Sequence, residues 1–248
     1  MKRREFITQT ASAGVILAAG SVLSANPKKL SPPAKGKIPV AFTLSEGATV
    51  IDFAGPWEVF QDVMIPTRGS NHDDQMPFEL YTVAETTEPL RGSAGLRLVP
   101  DYSFESAPQL KVIVVPAQQG GKALHAWLRK MSASTDIIMS VCTGAFQLGR
   151  AGLLTGKSAT THHDFFDDFV RAFPDVTLKR GLRFVEEERI STAGGLSSGI
   201  DLALRVVDRY FGRMVSGEAE WDPPGRWKPF QVNLETSEAI KEVKGQGQ

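Results

Sequence analysis

Residues 136–144 read Asp-Ile-Ile-Met-Ser-Val-Cys-Thr-Gly, an apolar run that ends at a cysteine. A run this short and this apolar is typical of a strand that is buried on both faces of a parallel sheet. A helical pattern over 145–153 follows without a spacer. The stretch therefore predicts a buried strand, a sharp turn that carries Cys142, and a helix packed on the sheet.

The rest of the chain repeats this order of strand and helix. Further strands are predicted at 38–44, 78–84, 111–116 and 190–193, with a hairpin at 90–100. Further helices are predicted to begin at Asp52 and to cover 120–131, 164–173 and 197–211. Asp52 is expected near the N-cap of its helix and Pro56 in the first turn. This alternation predicts an α/β fold with a doubly wound, mostly parallel sheet and helices on both faces.

The N-terminal segment 1–25 has the three parts of an export signal. Its basic start, Met-Lys-Arg-Arg-Glu-Phe-Ile at 1–7, precedes an uncharged apolar stretch at 11–23 and small residues at 24–25. That stretch is shorter than the about 20 residues that span a bilayer. The paired arginines resemble a twin-arginine signal, so we expect a periplasmic or otherwise exported protein that engages the twin-arginine translocon. A frayed N-terminal helix is the alternative interpretation.

The remaining chain divides into three parts. Residues 26–37 contain paired prolines and several lysines, which is typical of a linker. Residues 38–211 hold the predicted strands and helices and form one domain. Residues 212–248 are rich in proline and are expected to wrap the surface as a tail, because they lack the helical period of a DNA-binding helix-turn-helix.

The composition excludes several classes of protein. The 28 Lys and Arg residues balance 28 Asp and Glu residues, unlike the basic excess of a general nucleic-acid binder. The single cysteine excludes a disulfide framework and any zinc or iron–sulfur site built from several cysteines. Because the whole chain has no net charge and the N-terminal segment 1–25 is basic, the rest of the chain is slightly acidic. We therefore expect no nucleic-acid partner, and no membrane partner after export.

Cys142 stands where a strand-to-helix turn would carry a nucleophile. The small residues Ser140 and Gly144 flank it two positions away on either side, which is the spacing that such a strained turn requires. Backbone N–H groups at the start of the following helix would favour the thiolate and lower the pKa of the thiol. The alternative is a small buried hydrophobic residue, which is a common role for a lone cysteine.

Two histidine-containing segments are weaker candidates. His72, with Asp73 and Asp74, lies among polar residues and is interpreted as part of a solvated loop. His162 and His163 could supply a general base, but packing of the pair against the next helix is the favoured interpretation. We expect no metal site and no cofactor.

Four blocks of sequence, taken in order, resemble the ThiJ/PfpI superfamily of class I glutamine amidotransferase-like proteins. They read Ile-Asp-Phe-Ala-Gly-Pro-Trp-Glu-Val-Phe at 51–60, Ser-Val-Cys-Thr-Gly-Ala at 140–145, Ala-Gly-Leu-Leu-Thr-Gly-Lys-Ser-Ala-Thr-Thr-His at 151–162, and Thr-Ala-Gly-Gly-Leu-Ser-Ser-Gly-Ile-Asp-Leu-Ala-Leu at 192–204. Within the superfamily the likeness is to isonitrile hydratases and to the ligand-sensing domains of related transcription regulators. The resemblance implies a flavodoxin-like fold, a homodimer and a small-molecule substrate.

The resemblance also assigns catalytic roles to Cys142, Asp52 and Thr143. A thiolate can add to the terminal carbon of an isonitrile to give a thioimidate, which water converts into an N-substituted formamide. Proton transfer would fall to Asp52, for which simple helix capping is the alternative, and Thr143 can hydrogen-bond substrate or water. The residues expected to bind substrate are Ala117, Gln118, Gly144 and His162. A non-catalytic ligand-binding or redox stress-response protein is the alternative function.

Two departures from the family pattern bear on the reaction. Thr143 follows the cysteine where peptidase-like members carry histidine, so a Cys-His peptidase is not expected. Many relatives carry Pro-Gly-Gly after the third strand, where this chain reads Pro-Ala-Gln-Gln-Gly-Gly at 116–121. Ala117 and Gln118 keep the N–H donors of that anion-binding turn but add side chains, which changes the expected shape of the pocket.

Overall fold

The structure, a computed structural model, describes residues 28–33 and 35–212. Its strands are β1 Ile38–Thr43, β2 Phe78–Ala84, β3 Leu90–Arg91, β4 Arg97–Leu98, β5 Tyr102–Ser103, β6 Val112–Val115, β7 Ile137–Val141, β8 Ser158–Ala159, β9 Thr177–Leu178, β10 Phe184–Glu186 and β11 Ile190–Ala193. Its helices are α1 Val50–Gln61, α2 His72–Gln75, α3 Lys122–Met131, α4 Gly144–Arg150, α5 Phe166–Ala172 and α6 Ser197–Phe211. The predicted leader and the predicted tail after Gly212 lie outside the described residues. None of the described helices is long and apolar enough to cross a membrane.

Seven strands form one sheet in the order β10-β11-β7-β6-β1-β2-β5. Neighbouring strands are parallel except for β10 and β11, which are antiparallel. β1 lies inside the sheet, where Val40 is opposite Val112 of β6 on one side and Leu80 of β2 on the other. Parallel neighbours need crossover connections, which the helices provide. The predicted mostly parallel α/β sheet is confirmed.

Two hydrophobic cores lie on the two faces of this sheet. Side chains alternate between the faces along a strand, so Val40 and Phe42 join the first core and Ala41 joins the second. The first core packs under α1 and α6, and the second packs under α3 and α4. Helices therefore cover both faces, as predicted, and the inner strand β6 is apolar throughout because both of its sides are buried.

Several predicted elements coincide with the observed ones. Helix α6 and strand β11 have the predicted bounds, and the antiparallel pair of β3 and β4 forms the predicted hairpin. The sequence analysis missed the edge strand β5. A strand of two residues is too short to show an alternating pattern.

Helix α1 begins earlier than predicted. It starts at Val50 after the N-cap residue Thr49, so Asp52 lies inside the first turn and Pro56 lies in the helix interior. The predicted start of the helix at Asp52 and the placement of Pro56 in its first turn are therefore wrong, whereas Asp52 does lie near the N-cap residue Thr49. Its carboxylate does not cap α1 because it bonds to backbone N–H groups of two other loops in the described part of the chain.

Part of the predicted linker, residues 28–33, contacts the C-terminal end of α6. The N–H of Leu30 donates to the carbonyl of Arg209 (2.7 Å), and the Leu30 side chain packs against the first core. The buried Arg209 guanidinium donates in turn to the carbonyls of Lys28 (3.1 Å) and Glu188 (2.9 Å). Arg209 therefore joins the N-terminal segment to the turn between β10 and β11.

These contacts predict a loss of stability when Arg209 is replaced. Arg209→Met keeps an apolar stem but leaves two carbonyls without their donor, so the free energy of unfolding should fall by about 1–3 kcal/mol. Urea unfolding followed by circular dichroism measures the change. Arg171→Met is the control, because Arg171 pairs with Asp168 at the exposed surface and its loss should cost under about 0.5 kcal/mol. Equal losses in the two variants would contradict the role of Arg209.

Candidate active site

The candidate site lies at the carboxyl end of the parallel sheet, where the loops after several strands meet. Cys142 follows β7 and precedes α4, and its N–H donates to the carbonyl of Ala193 in β11 (3.1 Å). Its φ of 58° is a left-handed conformation that is uncommon outside glycine. Strand, turn and helix are therefore arranged as the sequence predicts, with a strained backbone at the cysteine.

Gly144 occupies a position next to β6 where a side chain would clash. A Cβ atom there would lie 2.1 Å from the carbonyl oxygen of Val115. The first turn of α4 can approach the strand because residue 144 is glycine. Packing accounts for this glycine, and its role in substrate binding stays a prediction. Thr143, between Gly144 and Cys142, is partly exposed at the site.

Asp52 is fully buried beside the cysteine. Its Oδ2 accepts a hydrogen bond from the N–H of Ala117 (3.2 Å), and its Oδ1 accepts one from the N–H of Leu196 (3.3 Å). The Cys142 thiol lies beside this carboxylate, close enough for each group to shift the pKa of the other. Asp52 thus lies among the turns that follow β6, β7 and β11. The structure brings together Cys142 and Asp52, two of the three residues to which the family resemblance gave catalytic roles.

The pKa values of this pair are raised, contrary to the expectation of a thiolate. Burial and the neighbouring Asp52 carboxylate raise the pKa of the Cys142 thiol to about 12, against a smaller opposite effect of the Thr143 N–H. Burial also raises the pKa of Asp52 from its ordinary value. The expected lowering by the start of α4 is wrong, because desolvation and the nearby negative charge outweigh it. In the resting site the thiol is protonated.

The loop after β6 is fixed by hydrogen bonds on two sides. The Gln118 side-chain amide donates to the carbonyl (3.2 Å) and hydroxyl (3.0 Å) oxygens of Thr43. Gln147 of α4 donates from Nε2 to the carbonyls of Gln118 (3.0 Å) and Gln119 (3.3 Å). The Ala117 N–H is bound to the buried carboxylate, so it is already engaged in this conformation. Substrate binding by Ala117 and Gln118 stays a prediction.

Gln147 is a site residue that the sequence analysis missed. Its side chain is buried, and its Oε1 lies 2.8 Å from Nε2 of His125 in α3. A Cβ atom at Gly120 would lie 2.2 Å from the same oxygen, so this glycine leaves room for the amide. The lone amide in the otherwise apolar stretch 145–148 is the sequence signal that could have revealed it.

His162 lies beside the thiol at the edge of the site. A Cβ atom on Gly195 would lie 2.9 Å from His162 Cδ2 and 3.5 Å from the Cys142 sulfur. The preceding Thr161 hydroxyl donates to the carbonyl of Cys142 (3.0 Å). The rings of His162 and His163 are stacked, with centroids 4.3 Å apart. His162 therefore lies next to Cys142, and its expected role in substrate binding stays a prediction.

Leu196 is a second strained residue in the site. Its φ of 50° and ψ of −118° are values that glycine normally supplies in turns, yet the leucine is 51% exposed. Its N–H is the donor that reaches Asp52. The buried Asp201 pairs with Arg183, which also donates to the Ser197 hydroxyl (3.1 Å). These contacts hold the start of α6 in the conformation that directs the Leu196 N–H at the carboxylate.

A model of the DJ-1/PfpI family matches residues 39–209, a range that contains every site residue described above. The chain belongs to this family. Isonitrile hydratase from Pseudomonas putida is 30% identical over 194 residues, which cover 74% of this chain and 78% of that protein. The HTH-type transcriptional regulator CdhR from Pseudomonas aeruginosa is 27% identical over 196 residues, which cover 77% of this chain but 56% of the regulator.

Solved structures show the same DJ-1/PfpI fold. A THiJ/PfpI family protein from Pseudomonas syringae has a TM-score of 0.63 at 26% identity, covering 85% of this chain and 88% of that one. DJ-1beta from Drosophila melanogaster has a TM-score of 0.62 at 16% identity, covering 74% and 96% of the two chains. The second similarity shows the fold alone. The superfamily resemblance and the flavodoxin-like fold are thus confirmed.

The raised pKa of Cys142 predicts slow alkylation near neutral pH and faster alkylation as the pH rises, because the thiolate is the reactive form. Asp52→Asn removes a negative charge beside the sulfur. The pKa of the thiol should fall, and the rate constant with iodoacetamide at pH 8 should rise about tenfold, which corresponds to one pKa unit. Mass spectrometry of the intact protein follows the labelling of its single cysteine.

Glu58→Gln is the matched control for this experiment. Glu58 lies on the same helix as Asp52 but is exposed, so its replacement should leave the rate constant unchanged. If Asp52→Asn is alkylated no faster than the wild type, the carboxylate does not set the pKa of the thiol.

Proposed function

We propose that this DJ-1/PfpI protein is a cysteine-dependent hydratase that adds water to an isonitrile or a comparable small electrophile. The observation that carries the proposal is the placement of Cys142, at a strained strand-to-helix turn, beside the buried carboxylate of Asp52. The similarity to isonitrile hydratase over most of both chains supports the substrate class.

The first step starts from the protonated thiol. Asp52 accepts the proton of Cys142 as the sulfur attacks the terminal isonitrile carbon and a carbon–sulfur bond forms. The proton then moves from Asp52 to that carbon, which gives a thioimidate. Asp52 suits this exchange because burial raises its pKa and makes its carboxylate a stronger base than an exposed one.

Water completes the reaction. A water molecule adds its oxygen to the thioimidate carbon, and one of its protons reaches the nitrogen through Asp52. The carbon–sulfur bond then breaks as the remaining hydroxyl proton returns to sulfur. The sum is one isonitrile and one water converted into one N-substituted formamide, with the thiol restored. Thr143, adjacent to Cys142, can hydrogen-bond the water or the substrate through its hydroxyl.

Ligand binding without turnover is the second candidate function. The likeness to CdhR favours it, although this chain spans only 56% of the length of that regulator. A redox-sensing role has weaker support. Sensor cysteines are low-pKa thiols, whereas burial and the Asp52 carboxylate raise the pKa of Cys142 to about 12.

Turnover of a small alkyl isonitrile tests the hydratase proposal. Wild-type protein should release the N-substituted formamide, which NMR detects, and Cys142→Ser should abolish its formation. Asp52→Asn should lower kcat by about 10²–10⁴-fold because proton transfer is lost, even though its cysteine is alkylated faster. Circular dichroism of Asp52→Asn separates loss of the base from loss of folding, because an unfolded variant would also expose its cysteine to alkylation.

Glu58→Gln is again the control and should turn over like the wild type. If the wild type binds the isonitrile but releases no formamide, the hydratase proposal fails and the ligand-binding role is favoured.

We also propose that the chain is exported through the twin-arginine signal at 1–25. Support comes from the sequence pattern, in which Arg3 and Arg4 precede the uncharged stretch at 11–23. The double variant Arg3→Lys/Arg4→Lys should keep the precursor in the cytoplasm of a bacterial host, as measured by cell fractionation and immunoblotting. Lys28→Arg is the control and should not change export. Equal export of the double variant and the wild type would refute the proposal.

The formation of a homodimer, which the family resemblance implies, stays a prediction.

A further inference from the structure

His162, His163 and Asp164 lie together at the rim of the thiol site. One ligand atom from each residue lies within 4.8 Å of those of the other two. The Asp164 carboxylate oxygens lie 3.6 Å from Nδ1 of His162 and 3.2 Å from Nε2 of His163. An extended His162 followed by a 3₁₀ turn at His163–Phe165 produces this arrangement. One carboxyl group thereby faces two imidazole nitrogens.

These separations resemble the edges of a tetrahedral zinc site. Bonds of about 2.0–2.2 Å to nitrogen and oxygen place neighbouring ligand atoms about 3.3–3.6 Å apart. The two carboxylate–imidazole distances lie close to this range, but they involve different oxygens, Oδ2 for His162 and Oδ1 for His163. The His162 Nδ1 also accepts a hydrogen bond from the Asp164 N–H (3.4 Å), which a metal ion would replace. Because the two rings are stacked, binding one ion would require rotation of His163 and Asp164, whose side chains are 75% and 67% exposed.

The charge around the thiol site favours a cation at this rim. The Asp164 carboxylate lies against His162 at the rim, and the Asp52 carboxylate is buried within the site. A divalent cation held by Asp164 would offset part of this negative charge. The His162 ring approaches the Cys142 sulfur across Gly195, so a metal bound at the rim would adjoin the thiol without including it.

We propose that His162, His163 and Asp164 bind a divalent transition metal of the zinc class, with one coordination position open. Two imidazole nitrogens and a carboxylate oxygen suit Zn²⁺, Cu²⁺ or Ni²⁺. The proposal does not depend on the reaction at Cys142. The sequence analysis expected no metal, because three consecutive residues show no ligand spacing and only the turn brings their donor atoms together.

The segment His72, Asp73 and Asp74 provides a contrast of similar composition. Asp73 pairs with Lys37 (2.5 Å), and an Asp74 carboxylate oxygen accepts from the Asn71 amide (2.7 Å). Its carboxylates already have protein partners. This exposed segment therefore supplies a matched control.

The site is tested by titrating the chelator-treated full chain with zinc chloride and measuring the binding by isothermal titration calorimetry. The wild type should bind one equivalent of Zn²⁺. His163→Ala and Asp164→Asn should each weaken binding about tenfold or more, whereas His72→Ala should bind like the wild type. Cys142→Ser should also bind like the wild type. Circular dichroism establishes that each variant is folded.

Three results would overturn the proposal. The first is no Zn²⁺ binding by the wild type, and the second is equal affinity in the wild type and His163→Ala. The third is loss of binding in Cys142→Ser, because the thiol would then be a ligand and the site would not be the rim cluster.

Discussion

The carboxylate of Asp52 is fully buried among the loops that follow β6, β7 and β11. A buried carboxylate without partners would cost several kcal/mol, so its surroundings have to supply hydrogen-bond donors. The donors are the N–H groups of Ala117 and Leu196, and the thiol of Cys142 lies beside the carboxylate. These three residues come from loops after different strands. The need to solvate one charge internally therefore fixes the relative positions of three loops and helix α1.

The same carboxylate accounts for the unusual backbone and the unusual acidity of the site. Cys142 and Leu196 both have positive φ, a conformation that costs on the order of 1–3 kcal/mol for a residue other than glycine. In this conformation Leu196 directs its N–H at Asp52, and the N–H of Cys142 donates to the carbonyl of Ala193, so these hydrogen bonds offset part of the cost. The burial that demands these donors also keeps the thiol protonated. Strain and raised pKa thus follow from one packing constraint.

The fold could be predicted from the sequence because its signals are local. The apolar runs at 112–115 and 137–141 show strands buried on both faces, and the period of 197–211 shows a helix with one buried face. The spacing around Cys142 likewise predicted the turn. Each of these patterns lies within one element, where the period of the side chains gives the structure directly.

The acidity of the site could not be predicted in this way. Asp52 in a first helical turn looks like a cap, yet its partners Ala117 and Leu196 are 65 and 144 residues away in the sequence. The pKa of Cys142 depends on desolvation, which arises only when α1, α4 and α6 pack around the sheet. Gln147 was missed for the same reason, because its partners are carbonyls of a loop after another strand.

The place at which the N-terminal segment contacts the domain determines where a tag or a fusion partner would be attached. Arg209, in the last turn of α6, binds the carbonyl of Lys28, whereas the first turn of α6 lies beside the thiol. Arg209 lies 12 residues after Ser197, the first residue of the helix, so these two points are about 18 Å apart along its axis. A purification tag or a fusion partner joined before residue 28 would therefore be attached near the end of α6 that is remote from the thiol.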